Sequence, residues 1–301
     1  SSKKYNKKMN KFALFTGSGS KFFFKLQNLL NSLSEFKEFE NINLFIFDVG
    51  MSQSEIEIAS KYGKVIKPKD HLNFNFIITK PWLRLYSSRP FLKEYAPGFE
   101  VYMWIDADIM VFNWSLFNDL YNISKNGKIG IAPEVDTSYL YNFENKEYKK
   151  IFKNLYLRRG WTFRNLTKYF KKIDVEKFSS LPCLNAGLFS FPNKNEIWEN
   201  WYKTYQEVCN HSNNEDIISM DQTSLNIEIY KNIEKTILLD AKYNFLVKNS
   251  MPMINLDNKY VKPISPFDEI YAIHFTGVDM KLTYEFNKLD DKKIYKKFIV
   301  N

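Results

Sequence analysis

Glycine, proline and cysteine are scarce in this chain of 301 residues, which contains 10, 10 and 2 of them. So little glycine and proline excludes a collagen-like or linker-rich, low-complexity protein. The two cysteines, Cys183 and Cys209, are too few for a disulfide framework and lack the CxxC spacing of cysteine-based metal sites. No apolar run approaches the roughly 18 residues that a membrane-spanning helix requires. What remains is the composition of an ordinary globular protein, with length enough for one large domain.

Positive charge and aromatic side chains are abundant instead. The net charge is +9, and 17% of the residues are Phe, Trp or Tyr. An excess of positive charge favours an acidic partner, such as a nucleotide, an anionic membrane or a nucleic acid. Lysines dispersed along a chain are equally typical of a solvated surface, so charge alone does not choose among these.

Short apolar runs alternate with helical patterns through the first hundred residues. The run Lys11–Phe15 predicts a strand, and the segment TGSGS after it predicts a small-residue turn. Ser52 and Glu55 have the spacing of a capping box, which predicts the start of a helix. Pro90 should split the helix predicted over Lys80–Tyr95. Such alternation implies an α/β fold, with a mostly parallel sheet covered by helices on both faces.

The second half of the chain keeps this alternation less regularly. The segment LPCLNAGLFSF predicts a strand, and helices are predicted over Asn195–Cys209 and Ser219–Tyr230. The stretch Ser138–Ser180 is rich in aromatic and basic residues and is interpreted as an insertion. The basic tail predicts an amphipathic helix over Asp290–Val300. Since no linker stands out, we expect a single domain.

Two aspartates, Asp106 and Asp108, follow the most apolar predicted strand, Val101–Ile105. Residues two apart in a strand point to the same face, and open α/β sheets bind ligands at the carboxyl ends of their strands. Adjacent carboxylates repel each other unless a cation lies between them. A divalent cation shared with substrate phosphates would relieve the repulsion, so the pair is a candidate metal site. The alternative is two loop carboxylates, one of them capping a turn.

Three further segments follow this pair in order: LNAGLFSF, MDQTSLN and IHFTG. With these segments the chain resembles the retaining glycosyltransferases of family 8, which include bacterial lipopolysaccharide and lipooligosaccharide galactosyl- and glucosyltransferases and glycogenin. The resemblance implies a GT-A-type, Rossmann-like, mostly parallel sheet in a glycosyltransferase domain over residues 11–281. It places the insertion over 138–180 on the acceptor side and leaves a basic tail over 282–301.

The same resemblance implies a metal site with three ligands. Asp106, Asp108 and His274 would hold Mn²⁺ or Mg²⁺, which in turn binds the diphosphate of the donor. Arg89, at the start of RPFLKEY, would contact the donor. The family often has a lysine three positions after the glycine of its IHFTG-like segment, whereas Met280 stands there in this chain.

Candidate catalytic and donor-binding residues also come from the resemblance. Asn185, Asp221 and Gln222 would lie at the reacting face of the donor sugar and form the candidate catalytic set. The TGSGS segment is a candidate nucleoside-binding loop. Asp48 ends the second predicted strand and could reach the ribose or base, or cap the helix after it. The candidate donor-binding set is Thr16, Gly17, Ser18, Asp48, Arg89, Asp106, Ala107, Asn185, Ala186, Gly187, Gly277 and Lys281.

Together these features predict a metal-dependent, retaining glycosyltransferase. It would move a hexose from a nucleotide-sugar, with UDP-hexose favoured, to a hydroxyl of a saccharide or glycolipid acceptor. The alternatives are a nucleotidyltransferase on a similar sheet and a basic nucleic-acid-binding protein, although the main prediction includes no nucleic acid partner. We expect the enzyme in the cytoplasm, with peripheral attachment of its basic tail to the inner, anionic face of the membrane.

Overall fold

The structure is a computed structural model that describes residues 12–74, 79–140, 170, 176–211 and 220–298. Its strands are β1 (Phe12–Ser18), β2 (Asn43–Asp48), β3 (Lys64–Ile66), β4 (Val101–Ile105), β5 (Ile109–Val111), β6 (Ile129–Pro133), β7 (Leu184–Pro192), β8 (Thr236–Leu238), β9 (Phe245–Leu246), β10 (Met253–Ile254), β11 (Tyr260–Val261), β12 (Ala272–His274), β13 (Tyr284–Asn287) and β14 (Lys293–Lys296). Its α-helices are α1 (Phe23–Ser34), α2 (Gln53–Ala59), α3 (Leu83–Ser88), α4 (Leu92–Tyr95), α5 (Ser115–Lys125), α6 (Ile197–Asn210) and α7 (Met220–Lys231).

The main sheet contains seven of the described strands, in the spatial order β3-β2-β1-β4-β7-β6-β8. Neighbouring strands run parallel except at β7, which is antiparallel to both β4 and β6. The predicted mostly parallel α/β sheet is therefore confirmed.

Strand β4 lies at the centre of this sheet, and all five of its residues are buried. Tyr102 and Trp104 belong to the hydrophobic core on one face, while Val101, Met103 and Ile105 belong to the core on the other. A strand that is buried on both faces needs apolar residues at every position, which explains the uninterrupted run in the sequence.

Helices cover both faces of the sheet, as the alternating pattern predicted. On one face, α1 and α5 contribute buried residues such as Leu29 and Phe117. On the other face, α6 and α7 contribute Trp201 and Leu225. Since each face is covered, the carboxyl ends of the parallel strands are where the sheet meets solvent, and this edge positions the site.

Two local predictions about helices are confirmed. The capping box forms at the start of α2, where the Ser52 hydroxyl accepts from Glu55 N and the Glu55 carboxylate accepts from Ser52 N. Pro90 splits the helix over 80–95 into α3 and α4, which are joined by a 3₁₀ turn over Arg89–Phe91. The split matters because it places Arg89 at the break between the two helices.

A second, three-stranded sheet joins β5, β12 and β9. Its antiparallel register pairs His274 with Ile109, the residue that follows Asp108. Phe275 N also donates to Asp108 O across a distance of 2.9 Å. This pairing brings the histidine to the aspartate pair, although more than 160 residues separate them in the sequence.

The predicted helix over Asp290–Val300 is wrong. Strands β13 and β14 form an antiparallel hairpin instead, and Asp291 in its turn has a φ of 62°. Phe298 packs in the same core cluster as Phe275, the residue after β12. Because the Phe298 ring is buried, it is not available for the lipid-facing stripe that a tail helix would have carried.

Two further predictions about segments are affected. Thr16 to Ser18 do not form a turn, because β1 continues through Ser18, which pairs with Asp48 of β2. Most of the predicted insertion over 138–180 lies outside the described residues. Among the helices that are described, none is both long and apolar enough to cross a bilayer.

Candidate active site

Asp106 and Asp108 lie in a turn between β4 and β5 rather than in a continuing strand. Asp106 N donates to Gly187 O over 2.7 Å, and Ile109 N donates to Asp106 O over 3.1 Å. The expectation that the two side chains share one face of a strand is therefore wrong in its geometry. They converge because the chain turns at Ala107 and returns along β5.

Three ligand atoms meet at this turn. His274 Nε2 lies 3.2 Å from Asp108 Oδ1 and 3.9 Å from Asp106 Oδ2. One potential ligand atom from each of the three residues lies within 4.8 Å of the other two. Carboxylate oxygens and an imidazole nitrogen suit Mn²⁺, and also Mg²⁺ when substrate phosphates add oxygen ligands.

The remaining carboxylate oxygens have protein partners, which fix the orientation of both aspartates. Asp106 Oδ1 accepts from Arg89 Nη2 and, over 2.6 Å, from Trp104 Nε1. Asp108 Oδ2 accepts from Lys25 Nζ over 3.1 Å. Burial by itself raises the pKa of Asp108, but His274 and Lys25 bring the net pKa below its usual range. Both aspartates thus direct one oxygen towards His274.

Gly187 leaves the space in which the three groups converge. A Cβ at this position would meet His274 Cε1, would lie 2.8 Å from Asn185 Oδ1, and would lie 2.9 Å from Asp106 Oδ2. A Cβ therefore does not fit unless the candidate ligands move apart. The donor set fits a divalent cation.

Arg89 connects Asp106 with Asp221, a member of the candidate catalytic set. Its guanidinium is 3% exposed and donates through Nη1 to Asp221 Oδ2 over 2.8 Å. The guanidinium carbon lies 4.7 Å from the ring centroids of both Tyr86 and Trp104. Burial raises the pKa of Asp221 to about 6, and Arg89 opposes that increase. The geometry makes Arg89 a buried link between the two carboxylates.

The other candidate catalytic residues tie α7 to β7. Gln222 Oε1 accepts from Ala186 N over 2.9 Å, and Gln222 Nε2 donates to Cys183 Sγ over 3.2 Å. Asn226, one turn further along α7, makes hydrogen bonds of 2.6 and 2.9 Å to the backbone N and O of Leu184. These contacts hold Gln222 against the strand that carries Asn185 and Gly187.

A cleft of about 410 Å³ opens beside the candidate metal site. It brings together five residues of the predicted donor-binding set: Gly17, Ser18, Arg89, Asp106 and Ala107. The aromatic and basic residues in its walls were not predicted, because they belong to no recognisable sequence motif. They are Lys21, Phe22, Lys25, Trp82, Tyr86 and Trp104. An aromatic and cationic lining of this kind suits a base with attached phosphates.

Other members of the predicted donor-binding set do not line this cleft. Thr16 is fully buried within β1. Asp48 Oδ1 accepts from Gly50 N and Met51 N in the loop before α2, whose N-cap is Ser52, so Asp48 neither lines the cleft nor caps the helix. Lys281 Nζ lies 4.4 Å from the ring centroid of Phe24.

Gly277 has a φ of 72°, which an L side chain rarely adopts, but it does not line the cleft either. Met280, at the position where the family often has lysine, is completely buried in the core around β12. Asn185, Ala186 and Gly187 also lie outside the cleft lining, behind Asp106.

A mostly parallel seven-stranded sheet between helices, with a carboxylate pair after its central strand, is the architecture of the GT-A fold. The sequence profile of glycosyl transferase family 8 matches residues 13–282, and the chain belongs to that family. The protein is therefore a sugar-transferring enzyme.

Several solved structures are similar to this chain at low sequence identity. An active-site mutant of LgtC is 12% identical over 87% of this chain and 86% of LgtC, with a TM-score of 0.50. The galactosyltransferase LgtC in complex with donor and acceptor sugar analogues is 11% identical over the same shares, with a TM-score of 0.45. Mouse xyloside xylosyltransferase 1 is 13% identical over 88% of this chain and 96% of its own, with a TM-score of 0.49. A comparison with curated protein sequences finds no match.

Proposed function

We propose that the enzyme transfers a hexose from a nucleotide-sugar, with UDP-hexose favoured, to a hydroxyl of a saccharide or glycolipid, in a metal-dependent reaction that retains the anomeric configuration. One observation carries this proposal. Asp106 Oδ2, Asp108 Oδ1 and His274 Nε2 converge beside a cleft lined by aromatic and basic residues. Carboxylates that share a cation with a substrate diphosphate are a general solution for phosphate-containing donors.

Different residues of the chain would bind the cation, the phosphates and the base of the donor. A cation held by Asp106, Asp108 and His274 would neutralise the charge that develops on the departing nucleotide. Lys21 and Lys25, on the wall of the cleft, would attract the phosphates. Cleft aromatics offer flat apolar surfaces for the base.

The candidate catalytic residues favour attack from the face that the nucleotide leaves. Gln222 is a poor nucleophile because its side chain is a neutral amide, and its oxygen already accepts from Ala186 N. Asp221 is 1% exposed and its Oδ2 is paired with Arg89. In this proposal the leaving phosphate takes the acceptor's proton, while Asn185, Asp221 and Gln222 support the protein wall at the reacting face of the sugar through their contacts with Arg89 and β7. The anomeric configuration is thereby retained.

A donor screen tests the proposal. The protein is incubated with a panel of nucleotide-sugars, Mn²⁺ and candidate acceptors, and both nucleotide release and sugar transfer are measured. We expect UDP-hexose turnover that stops in EDTA, recovers with Mn²⁺ and falls by about 10²–10³-fold in Asp108→Asn, as a change in transition-state charge stabilisation would cause. Pyrophosphate release would indicate a nucleotidyltransferase, and full turnover in EDTA would contradict the metal-dependent reaction.

The location proposed for this reaction is the cytoplasm, with peripheral contact to the anionic inner face of the membrane. The support is the β13–β14 hairpin, where Lys292, Lys293 and Lys297 are exposed. Each lysine at an anionic surface contributes about 1 kcal/mol. We expect salt-reversible co-sedimentation with anionic vesicles, and binding that is equal for anionic and neutral vesicles would contradict this part of the proposal.

A further inference from the structure

Asn244 lies between the metal-site histidine and the strand that carries Asn185. It directly precedes β9, which pairs in parallel with β12 so that Leu246 is opposite His274. Asn244 is 1% exposed. His274 Nδ1 lies 3.1 Å from Asn244 Oδ1, and Asn244 Nδ2 lies 2.9 Å from Asn185 Oδ1. A buried amide thus contacts the ring nitrogen of His274 that faces away from the carboxylates.

The contacts continue to a group that can only accept hydrogen bonds. Asn185 Nδ2 donates to Glu134 Oε1 over 2.8 Å, at the point where the chain leaves β6. Asn185 Oδ1 accepts from the backbone N of Gly187 over 2.9 Å. An ionised carboxylate has no proton to give, and a backbone N–H has no lone pair to offer. These two partners therefore fix which end of the Asn185 amide is oxygen.

The orientation of Asn185 then determines that of Asn244. Since Asn185 presents its oxygen, Asn244 must present its NH₂ to that oxygen and its own oxygen to His274. If the Asn244 amide alone were rotated, its oxygen would lie 2.9 Å from the Asn185 oxygen. If both amides were rotated, the Asn185 oxygen would face the Glu134 carboxylate and its NH₂ would face the Gly187 N–H. Two buried acceptors or two buried donors that face each other lose a hydrogen bond, and both groups stay unsatisfied.

We propose that Asn244 is a positioning residue of the metal site, and that a directional hydrogen-bond relay from Glu134 through Asn185 and Asn244 holds a proton on His274 Nδ1. With a cation bound, Nε2 would then offer it a lone pair beside Asp106 and Asp108, as a metal ligand requires. Partners on the other ring nitrogen commonly set the tautomer and the orientation of histidine ligands. The proposal rests on the proposed function for its purpose but not for its test, which uses neither donor nor activity.

The relay explains the position and orientation of the Asn185 side chain. The side chain spans Glu134 and Asn244, so both of its polar atoms have partners within the protein. Thr276 Oγ1, 2.8 Å from His274 Nε2, completes the surroundings of the ring and can donate its hydroxyl proton to the Nε2 lone pair. Nε2 also lies 3.2 Å from Asp108 Oδ1, to which an Nε2–H could donate until a cation takes its place. The relay holds the proton on Nδ1 in either case, without a charged partner there.

Nitrogen NMR of the wild-type protein tests the relay directly. The chain has three histidines, so ¹⁵N-histidine labelling with His71→Gln and His211→Gln variants assigns the ring signals. With excess Mg²⁺ we expect His274 to show a protonated Nδ1 and an unprotonated Nε2, and in EDTA we expect Nδ1 to stay protonated. An unprotonated Nδ1 in the wild type, with or without Mg²⁺, would overturn the proposal whether or not any variant folds.

Two variants of Asn244 separate positioning from packing. Asn244→Leu removes both hydrogen bonds at similar volume, and we expect mixed tautomers and Mn²⁺ affinity lower by about 10–100-fold. Asn244→Asp keeps an acceptor for His274 Nδ1–H, so the Nδ1–H form should persist. Unchanged Mn²⁺ affinity and tautomer in Asn244→Leu would overturn the relay, as would an Asn244→Asp protein that loses the Nδ1–H form. Absence of sugar transfer in the wild type would contradict the proposed function and leave these results standing.

Discussion

Gly187 is the residue whose lack of a side chain allows the candidate metal site to form. It lies opposite Asp106 in the main sheet, with Asp106 N donating to its carbonyl oxygen over 2.7 Å. Its Cα also faces His274, and any Cβ there would meet the atoms of the candidate ligands. A methyl group at this position must therefore separate the ligands, although the backbone of β7 can accept an alanine.

We predict that Gly187→Ala lowers Mn²⁺ affinity by at least about 10-fold, the scale on which disturbed ligand orientation acts. The measurement is a Mn²⁺ titration, with circular dichroism to show that the fold persists. Gly130→Ala is the matched control, because a Cβ at Gly130 of β6 would lie 2.8 Å from Ser190 Oγ, away from the three ligands. Equal Mn²⁺ affinity in Gly187→Ala and the wild type would contradict the site geometry.

Asp221 gives a prediction about pH at the same scale. Its pKa is raised to about 6 in the folded protein, first by burial and against the effect of Arg89, whereas the unfolded value is about 3.9. The folded state therefore holds the proton more tightly than the unfolded state. The resulting contribution to stability is complete below about pH 4 and is lost as the pH rises through about 6.

Urea unfolding of the wild type and Asp221→Asn at several pH values checks this. We predict that the free energy of unfolding of the wild type decreases between pH 4 and 6 relative to the variant, by about 2–3 kcal/mol in total. Parallel pH profiles for the two proteins would show that Asp221 titrates normally. The Asn variant suits the comparison because it keeps side-chain shape and cannot titrate.

At the scale of elements, the β13–β14 hairpin shows why the tail was predicted incorrectly. Ile294 and Phe298 are four residues apart, which favoured a helix with one apolar stripe. In the hairpin, Ile294 and Lys296 are partly buried while Lys293 and Tyr295 are exposed. The Lys296 ammonium lies 4.2 Å from the Tyr260 ring centroid, and the lysine stem covers apolar surface. Because Lys296 is polar but occupies an inward-facing position, the sequence does not show the alternation of apolar and polar residues that indicates a strand.

Phe298 tests whether this hairpin belongs to the core. Its side chain is 3% exposed, and its ring centroid lies 4.4 Å from that of Phe275. We predict that Phe298→Ala lowers the free energy of unfolding by about 3–5 kcal/mol, as truncation of a buried aromatic usually does. Tyr295→Ala, at a position that is 66% exposed, is the control and should cost less than about 1 kcal/mol. Similar losses for the two variants would contradict the packing of the hairpin.

Strand β4 and helix α2 could be predicted because their signals are local. Five consecutive apolar residues indicate a central strand, and Ser52 with Glu55 indicates a helix start. Asn244 could not be predicted, since its contact with His274 depends on the pairing of β9 with β12. Asp106 and Asp108 were predicted as a metal site from their place after an apolar strand, and His274 was added through the resemblance to the family. The turn that joins Asp106 to Asp108 follows from tertiary contacts with Gly187.

For the whole molecule, the proposed reaction is sugar transfer with retention. The deeply buried Asp221 and the amide Gln222 leave no placed carboxylate base for an inverting reaction among the residues of the candidate catalytic set. We predict that the product keeps the anomeric configuration of the donor, as measured by proton NMR immediately after transfer. A product with the opposite anomer would contradict the mechanism and leave the metal site intact.

The central claim is that a cation held by Asp106, Asp108 and His274 binds the donor, and its most direct test is pulsed EPR of Mn²⁺ bound to the wild-type protein in the presence of UDP. We predict hyperfine coupling to one imidazole nitrogen and to phosphorus in the same spectrum, because His274 and the diphosphate would bind the same ion. His274→Gln should lose the nitrogen coupling. A spectrum without phosphorus coupling, or a nitrogen coupling that survives in His274→Gln, would contradict the claim that Asp106, Asp108 and His274 hold the cation that binds the donor.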